Sequence, residues 1–172
     1  MPDGTAYRWP TRRQANLAGL ALCALMMAYA FFVQYVEHLS PCNMCMLQRF
    51  GVVAVGAAFL LAALHNPGRA GAVVYALLIA VTAGATAATS GRQVWMQAQP
   101  LGSLPSCGAD FWTMLDMFPV TEVVTRILKG GAECQVITWS LFGLSMAAWV
   151  MLAVAAIGAA GIVANLSLER QR

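Results

Sequence analysis

Long apolar runs separated by short polar stretches dominate the pattern of hydrophobic and polar positions along this chain. Three runs contain no charged residue, and a fourth is wholly apolar: Leu17–Val36, Gly71–Ser90, Leu141–Leu168 and Phe50–Leu64. With the last extended back to Met46, each reaches about the 20 residues that a helix needs to cross a bilayer. The pattern therefore predicts four membrane spans, at about residues 16–36, 46–64, 71–90 and 141–164.

The composition agrees with a membrane protein and not with a soluble domain of this size. Of the 172 residues, 60% are apolar and only 10% are charged, against roughly a quarter charged in an average soluble domain. Small residues are frequent within the runs, for example from Gly84 to Thr89, and such residues let transmembrane helices pack closely. We predict an all-α membrane protein, a four-transmembrane-helix bundle that forms one integral membrane domain over residues 1–172.

Basic residues are concentrated at the two termini and in the short turn between the second and third runs. They are Arg8, Arg12, Arg13, Arg69, Arg170 and Arg172. Because such residues favour the cytoplasmic side, we expect cytoplasmic termini and two outer loops, a short one at about 37–45 and a long one at about 91–138. The net charge of +3 fits contact with membrane lipid and gives no reason to expect nucleic acid as a partner.

The long outer loop contains one helical pattern of its own, between Pro119 and Gly130. Apolar residues recur at helical spacing on one face, and charged or hydroxyl residues take the other. The apolar positions are Val120, Val123, Val124, Ile127 and Leu128. The pattern predicts a short amphipathic helix, which either lies in the membrane surface or packs against the end of a neighbouring span. Both positions remain open.

The cysteines carry the candidate chemistry. Cys42, Cys45, Cys107 and Cys134 fall in the outer loops, on the side of the membrane where disulfides persist. They allow three pairings, and the close spacing of Cys42 and Cys45 favours that pair, which leaves Cys107 with Cys134. Inert disulfides are one alternative, and a zinc site is another, although zinc sites usually show two close pairs. A Cys-x-x-Cys pair at a helix start instead suits redox exchange, because the helix N-terminus lowers a thiol pKa.

The fifth cysteine, Cys23, lies in the middle of the first run. We expect it to be a small core residue without a redox role.

Arg49 follows Cys45 by four residues, so on a helix both side chains share one face at the membrane boundary. One interpretation is an arginine that snorkels to the interface, which is common. The other is a fixed charge that stabilises the Cys45 thiolate or holds an anionic quinone, since membrane quinones are the available electron acceptors for a redox pair in this position.

The order of these features resembles the bacterial disulfide bond formation protein B (DsbB) family, which are quinone-dependent thiol oxidases. The matching segments are Pro41-Cys42-x-x-Cys45 with Arg49, Gly91-Arg92-x-x-Trp95-x-Gln97, Pro105-x-Cys107-Gly108, Gly131-x-Glu133-Cys134 and Trp139-Ser140-x-x-Gly143-Leu144. They extend over essentially the whole chain. The ordered set of four cysteines with an arginine is much more specific than a lone Cys-x-x-Cys pair.

The resemblance implies an enzyme of the bacterial inner membrane whose cysteine loops are periplasmic. A reduced DsbA-like thioredoxin-fold partner would attack a Cys107–Cys134 disulfide at Cys107, and Cys134 would then attack Cys42. Cys45, freed by that exchange, would pass electrons to a quinone, either ubiquinone or menaquinone. Arg49 would lie beside the quinone, and no metal is implied.

One position departs from the pattern of the family. Some members carry a histidine near the outer end of the third span, where this chain has Arg92-Gln93-Val94. Gln93 is the second candidate quinone-binding residue, because its amide could hydrogen-bond a quinone carbonyl. An amide does not donate a proton near neutral pH, so a histidine-like role is not expected.

Two other functions fit parts of the pattern. A vitamin K epoxide reductase-like oxidoreductase is also a membrane bundle with cysteine pairs, but its Cys-x-x-Cys usually comes late in the chain rather than after the first span. A non-catalytic membrane subunit with permanent disulfides is the third possibility.

Overall fold

The computed structural model describes residues 11–105 and 109–167. Cys107 and the terminal residues Arg8, Arg170 and Arg172 lie outside the described residues. Within them, four helices are long and apolar enough to cross a membrane, which confirms the predicted four-span bundle. They are α1 (Arg12–Tyr35), α2 (Asn43–His65), α3 (Arg69–Gln97) and, after two short helices in the second outer connection, α6 (Met146–Ser167).

The four long helices pack closely around one large aromatic ring. Phe59 of α2 is fully buried, and a Cβ added to Gly19 of α1 or Gly161 of α6 would come within 2.8 Å or 2.5 Å of its ring. Gly158 brings α6 equally close to Ala83 of α3. Glycine is required at these positions, and α1, α2, α3 and α6 close into a ring in that order.

Buried polar contacts hold together the end of the bundle where α1 begins and α6 ends. The side-chain amides of Asn16 and Asn165 exchange hydrogen bonds of 2.9 Å and 3.2 Å, and neither residue is more than 1% exposed. Arg12, at the start of α1, donates from Nη1 to the carbonyl of Pro67 in the turn between α2 and α3, at 2.9 Å. Side chains of α1 and α6 are therefore joined to each other, and α1 to this turn, at that end.

Two helix bounds differ by five residues or more from those predicted from the apolar runs, and the others by four or fewer. α3 continues beyond Ser90 to Gln97, so the second connection begins later than residue 91. α6 begins at Met146 rather than 141, because β1 (Ser140–Leu141) pairs antiparallel with β2 (Leu144–Ser145). Hydropathy alone does not reveal either bound, since a helix continues past the apolar run and a hairpin can contain apolar residues.

Two short helices lie in the second connection: α4 (Phe111–Met117) and α5 (Val120–Lys129). Asp110 caps α4 by accepting hydrogen bonds from the backbone N–H groups of residues 112 and 113. α5 follows Pro119 and ends at Gly130, whose φ of 90° favours glycine. The helical pattern read from the sequence therefore corresponds to α5, whereas α4 was not predicted.

The apolar face of α5 packs against the end of the bundle where α2 begins and α3 ends. Val123 and Ile127 are buried in one cluster with Met44 of α2 and Met96 of α3. Val120, by contrast, is 65% exposed. The packing against neighbouring helices is thus observed, while a position of α5 in the membrane surface stays a prediction.

Candidate functional site

The cysteine pair lies at the N-terminal end of α2. Cys42 is the N-cap residue, with an extended backbone, and its Sγ accepts a hydrogen bond from the backbone N–H of Cys45 at 3.3 Å. The two sulfur atoms are 2.8 Å apart. Asn43, the first residue of α2, donates from its side chain to the carbonyl of Ala109 at 3.0 Å.

A third thiol, that of Cys134, joins this pair. Cys134 ends a short 3-10 turn (Ala132–Cys134), is 1% exposed and hydrogen-bonds with Cys42. The next residue, Gln135, is also buried and donates to the carbonyl of Pro100 at 2.9 Å, which fixes the turn to the start of the connection. Pairing of Cys134 with Cys107 stays a prediction, because Cys107 lies outside the described residues.

Hydrogen bonding within the cluster separates the pKa values of two of its thiols. The pKa of Cys42 is raised, first by its hydrogen bond with Cys134, then by that with Cys45 and by burial. The hydrogen bond from Cys42 lowers the pKa of Cys134 from 9.0 to about 7. When all three thiols are reduced, Cys134 is therefore more easily ionised than Cys42.

Two buried glutamines lie beside the sulfur pair. Gln93 of α3 directs its Nε2 toward the Sγ atoms of Cys42 and Cys45, at 3.4 Å and 3.5 Å. Its Oε1 accepts a hydrogen bond of 2.6 Å from Nε2 of Gln48. Sequence reasoning considered Gln93 as a quinone contact and overlooked Gln48. Gln48 could have been identified from its position, because it is a polar residue in an apolar stretch and lies three residues after Cys45, on the same helix face.

Arg49 extends toward α1. Its guanidinium donates to the side chain of Gln34 and, at 3.0 Å, to the carbonyl of Ala30. It also lies 5.4 Å from the ring centroid of Phe31. These groups of α1 hold the guanidinium of Arg49 at the wall of a cleft, which Cys45 also lines.

This cleft opens between α1, α2, α3 and α6, beneath the sulfur pair. It contains about 930 Å³ of atom-free space, which includes its open mouth. Apolar side chains form much of its wall, among them Met26, Met27, Val33, Val52, Ile137 and Val150. Cys42, Cys45, Gln48, Arg49 and Gln93 supply polar groups at the sulfur end. The site therefore combines a cluster of three thiols with a cleft whose wall is largely apolar.

Comparison with known sequences decides the family. The sequence model described as "Disulfide bond formation protein DsbB" matches residues 12–164. The chain belongs to the DsbB family. The resemblance inferred from the motifs is thus confirmed, and the protein is a multi-pass membrane protein of disulfide bond formation.

Curated relatives carry the corresponding name, Disulfide bond formation protein B. The relative from Nitrosococcus oceani is 44% identical over 140 residues, or 81% of this chain and 83% of the relative. That from Hahella chejuensis is 41% identical over 164 residues, 95% and 98% of the two chains. That from Chromobacterium violaceum is 42% identical over 147 residues, 86% and 89%. The two alternative functions considered from the sequence find no support in these matches.

Proposed function

We propose that this DsbB-family protein oxidises a reduced periplasmic partner of the DsbA type and passes the electrons to a membrane quinone. The observation that carries the proposal is the contact of Cys134 with Cys42, next to Cys45 and at the mouth of an apolar cleft. One thiol of the second connection is thereby within reach of the pair that borders the bundle interior.

The first steps are thiol–disulfide exchanges, in which each attacking thiolate must reach a disulfide sulfur. The partner's thiolate attacks Cys107 of a Cys107–Cys134 disulfide and releases Cys134 as a thiolate. Cys134 attacks Cys42 of a Cys42–Cys45 disulfide, and Cys45 leaves as a thiolate. The partner's second thiol then displaces Cys107, which attacks Cys134 and frees Cys42. The net result is an oxidised partner, an intact Cys107–Cys134 disulfide and a reduced Cys42–Cys45 pair.

The cleft beside Cys45 fits a quinone. Its wall is largely apolar, and the guanidinium of Arg49 and the amide of Gln93 lie at the sulfur end. A bound quinone would supply the acceptor for the two electrons and two protons that leave when the Cys42–Cys45 disulfide forms again. Arg49 would hold its oxygen end and balance negative charge, while Gln93 donates a hydrogen bond to the Cys45 thiolate.

The proposed location is the bacterial inner membrane, with both termini in the cytoplasm and the cysteines on the periplasmic side. Arg12, Arg13 and Arg69 lie at the end of the bundle opposite the cysteine cluster, as the positive-inside rule requires. An oxidising compartment on the cysteine side also agrees with disulfide exchange.

Quinone reduction by the purified protein tests the proposal. With a reduced DsbA-type protein as the electron donor, we expect quinone absorbance to fall as the donor is oxidised, one quinone for each disulfide formed. Cys45→Ser should abolish this reaction, whereas Cys23→Ala, which changes a buried cysteine away from the cluster, should retain it. Failure of the native protein to reduce quinone, or full activity of Cys45→Ser, contradicts the proposal.

The partner is identified by a second experiment. In a Cys134→Ser variant Cys107 has no disulfide partner and is a free thiol, so its thiolate should attack the disulfide of the oxidised partner, displace the partner's second thiol and form a mixed disulfide that the missing Cys134 cannot resolve. Mass spectrometry of the trapped complex should find a thioredoxin-fold protein, and a complex joined through any other cysteine would contradict the assigned entry point.

A further inference from the structure

Gln48 and Gln93 form a pair of buried amides between α2 and α3. They are 5% and 4% exposed, so neither amide can exchange its partner freely for bulk water. A buried amide that lacks a partner is destabilising. The 2.6 Å hydrogen bond from Gln48 to Gln93 is therefore a strong constraint on how the Gln93 side chain is oriented.

The two ends of an amide are chemically opposite, so the orientation of Gln93 determines what the sulfurs contact. Because the Oε1 of Gln93 accepts from Gln48, its NH₂ group is the end nearer the sulfurs, 3.4 Å from Cys42 and 3.5 Å from Cys45. The Oε1 lies farther away, 3.8 Å from the Cys45 sulfur, and accepts from that thiol while it is protonated. Turned by half a rotation, the same side chain would present an oxygen lone pair to a thiolate, which is repulsive. An N–H donor, by contrast, stabilises a thiolate.

We propose that Gln48 is a positioning residue of the redox centre: it fixes the amide of Gln93 so that an N–H donor faces the Cys42–Cys45 pair. The inference rests on the proposed function, in which Cys45 is first a leaving group and then an electron donor. Gln48 stabilises the Cys45 thiolate in both steps by orienting Gln93. Gln48 acts through Gln93 and has no sulfur contact of its own among the described hydrogen bonds. The reduced pair is stabilised relative to its disulfide, which makes the pair a stronger oxidant.

The redox equilibrium of the pair provides a test that does not depend on quinone or partner. In a Cys107→Ser/Cys134→Ser background, the disulfide fraction of Cys42–Cys45 is measured in glutathione buffers. We expect Gln48→Met to shift the equilibrium about tenfold toward the disulfide, or about 30 mV for this two-electron couple. Gln93→Met should give a similar shift. The double variant should shift no further, because Gln48 works only through Gln93.

The controls separate this effect from a general disturbance of the cleft. Gln97→Met removes another amide that lines the cleft, one that accepts from Ser145 at 2.6 Å, and it should leave the equilibrium unchanged. Arg49 and Glu133, the charged residues that line the cleft, are the same in every variant. An unchanged equilibrium in Gln48→Met, an equal shift in Gln97→Met, or shifts that multiply in the double variant would each overturn the proposal.

An NMR measurement on the native glutamine side chains tests the proposal even if a substituted protein does not fold. The side-chain ¹⁵N–¹H signals of Gln93 should move when the Cys42–Cys45 pair goes from disulfide to dithiol, whereas those of Gln97 should stay. Gln93 signals at the same chemical shifts in the disulfide and dithiol states would contradict the proposal. If the redox equilibrium of Cys42–Cys45 shifts in the variants as expected but the native protein reduces no quinone, the proposed function is wrong and the positioning role of Gln48 is supported.

Discussion

The two ends of the bundle both contain buried polar side chains, but they use them differently. At one end, Asn16 and Asn165 satisfy each other with two hydrogen bonds and leave no space between α1 and α6. At the other end, Nε2 of Gln48 donates to Oε1 of Gln93, and the NH₂ group of Gln93 faces the two sulfurs of the cysteine pair at the cleft. The first arrangement joins helices; the second holds a reactive group in a defined orientation.

Packing density follows the same division. The ring of Phe59 fills the space that Gly19 and Gly161 leave between the helices, whereas an open cleft lies beside Cys45. Stability and chemistry are thus carried by different halves of one bundle. Substitutions in the two halves should therefore affect different measured quantities.

The largest expected effect is on turnover, and it distinguishes Cys42, in the half with the cleft, from Cys23, in the closely packed half. Cys42→Ser should lower turnover by more than about a thousandfold, because it removes the electrophilic sulfur of the relay, while leaving the unfolding free energy nearly unchanged. Cys23→Ala, at a residue 3% exposed in the bundle core, should do the reverse and cost about 1 kcal/mol of stability. Steady-state quinone reduction and unfolding in mixed micelles measure the two quantities, and a loss of turnover in Cys23→Ala would break the comparison.

The next effect concerns the closely packed half alone. Gly161→Ala places a Cβ 2.5 Å from the ring of Phe59, so the helices must separate, and we expect a loss of about 1–3 kcal/mol in unfolding free energy. Gly84→Ala is the matched control, since no atom lies within 4 Å of its Cβ position. Equal stability of the two variants would show that the close approach of α6 to α2 is not required.

A third, smaller effect concerns the cleft. Arg49→Ala should raise the apparent KM for quinone about tenfold, which corresponds to a charge-assisted hydrogen bond of about 1.5 kcal/mol, and should change the KM for the partner little. Arg92→Ala is the control: its guanidinium donates to the carbonyls of Leu128 and Lys129 at the end of α5, away from the cleft. An unchanged quinone KM in Arg49→Ala would assign Arg49 to a snorkelling role.

The smallest effect is a pH dependence at Cys134. Its pKa is lowered from 9.0 to about 7 by the hydrogen bond with Cys42, so the thiolate predominates above pH 7 instead of above pH 9. In a reduced Cys107→Ser variant, alkylation of Cys134 should be half-maximal near pH 7. Adding Cys42→Ala should move that midpoint upward, because the hydrogen-bond donor is lost. A midpoint that stays in place would show that Cys42 does not set the ionisation of Cys134.

The sequence predicted the spans and α5 well because both depend on periodicity and run length. Helix α4 was missed because seven residues, Phe111–Met117, are too few for a helical period to stand out. The late start of α6 was missed because the turn at Phe142 and Gly143, with φ values of 51° and 77°, is a backbone property that hydropathy does not report.

The four cysteines and Arg49 could be selected from residue type and spacing, but the environment of the sulfurs could not. The extension of α3 to Gln97 is what brings Gln93 alongside the first turn of α2. Pairing of Gln93 with Gln48 depends on the register between two helices, and a single sequence contains no signal of that register. Long-range contacts of this kind become visible only when the helices are packed.

The central claim is that Cys134 exchanges with Cys42, and the disulfides of a Cys45→Ser variant test it most directly. In this variant Cys42 keeps its thiol, so it should attack Cys134 of the Cys107–Cys134 disulfide and release Cys107 as a free thiol. Peptide mapping without reduction should therefore find a Cys42–Cys134 crosslink. Cys134 joined only to Cys107, with Cys42 remaining a free thiol, would contradict the relay.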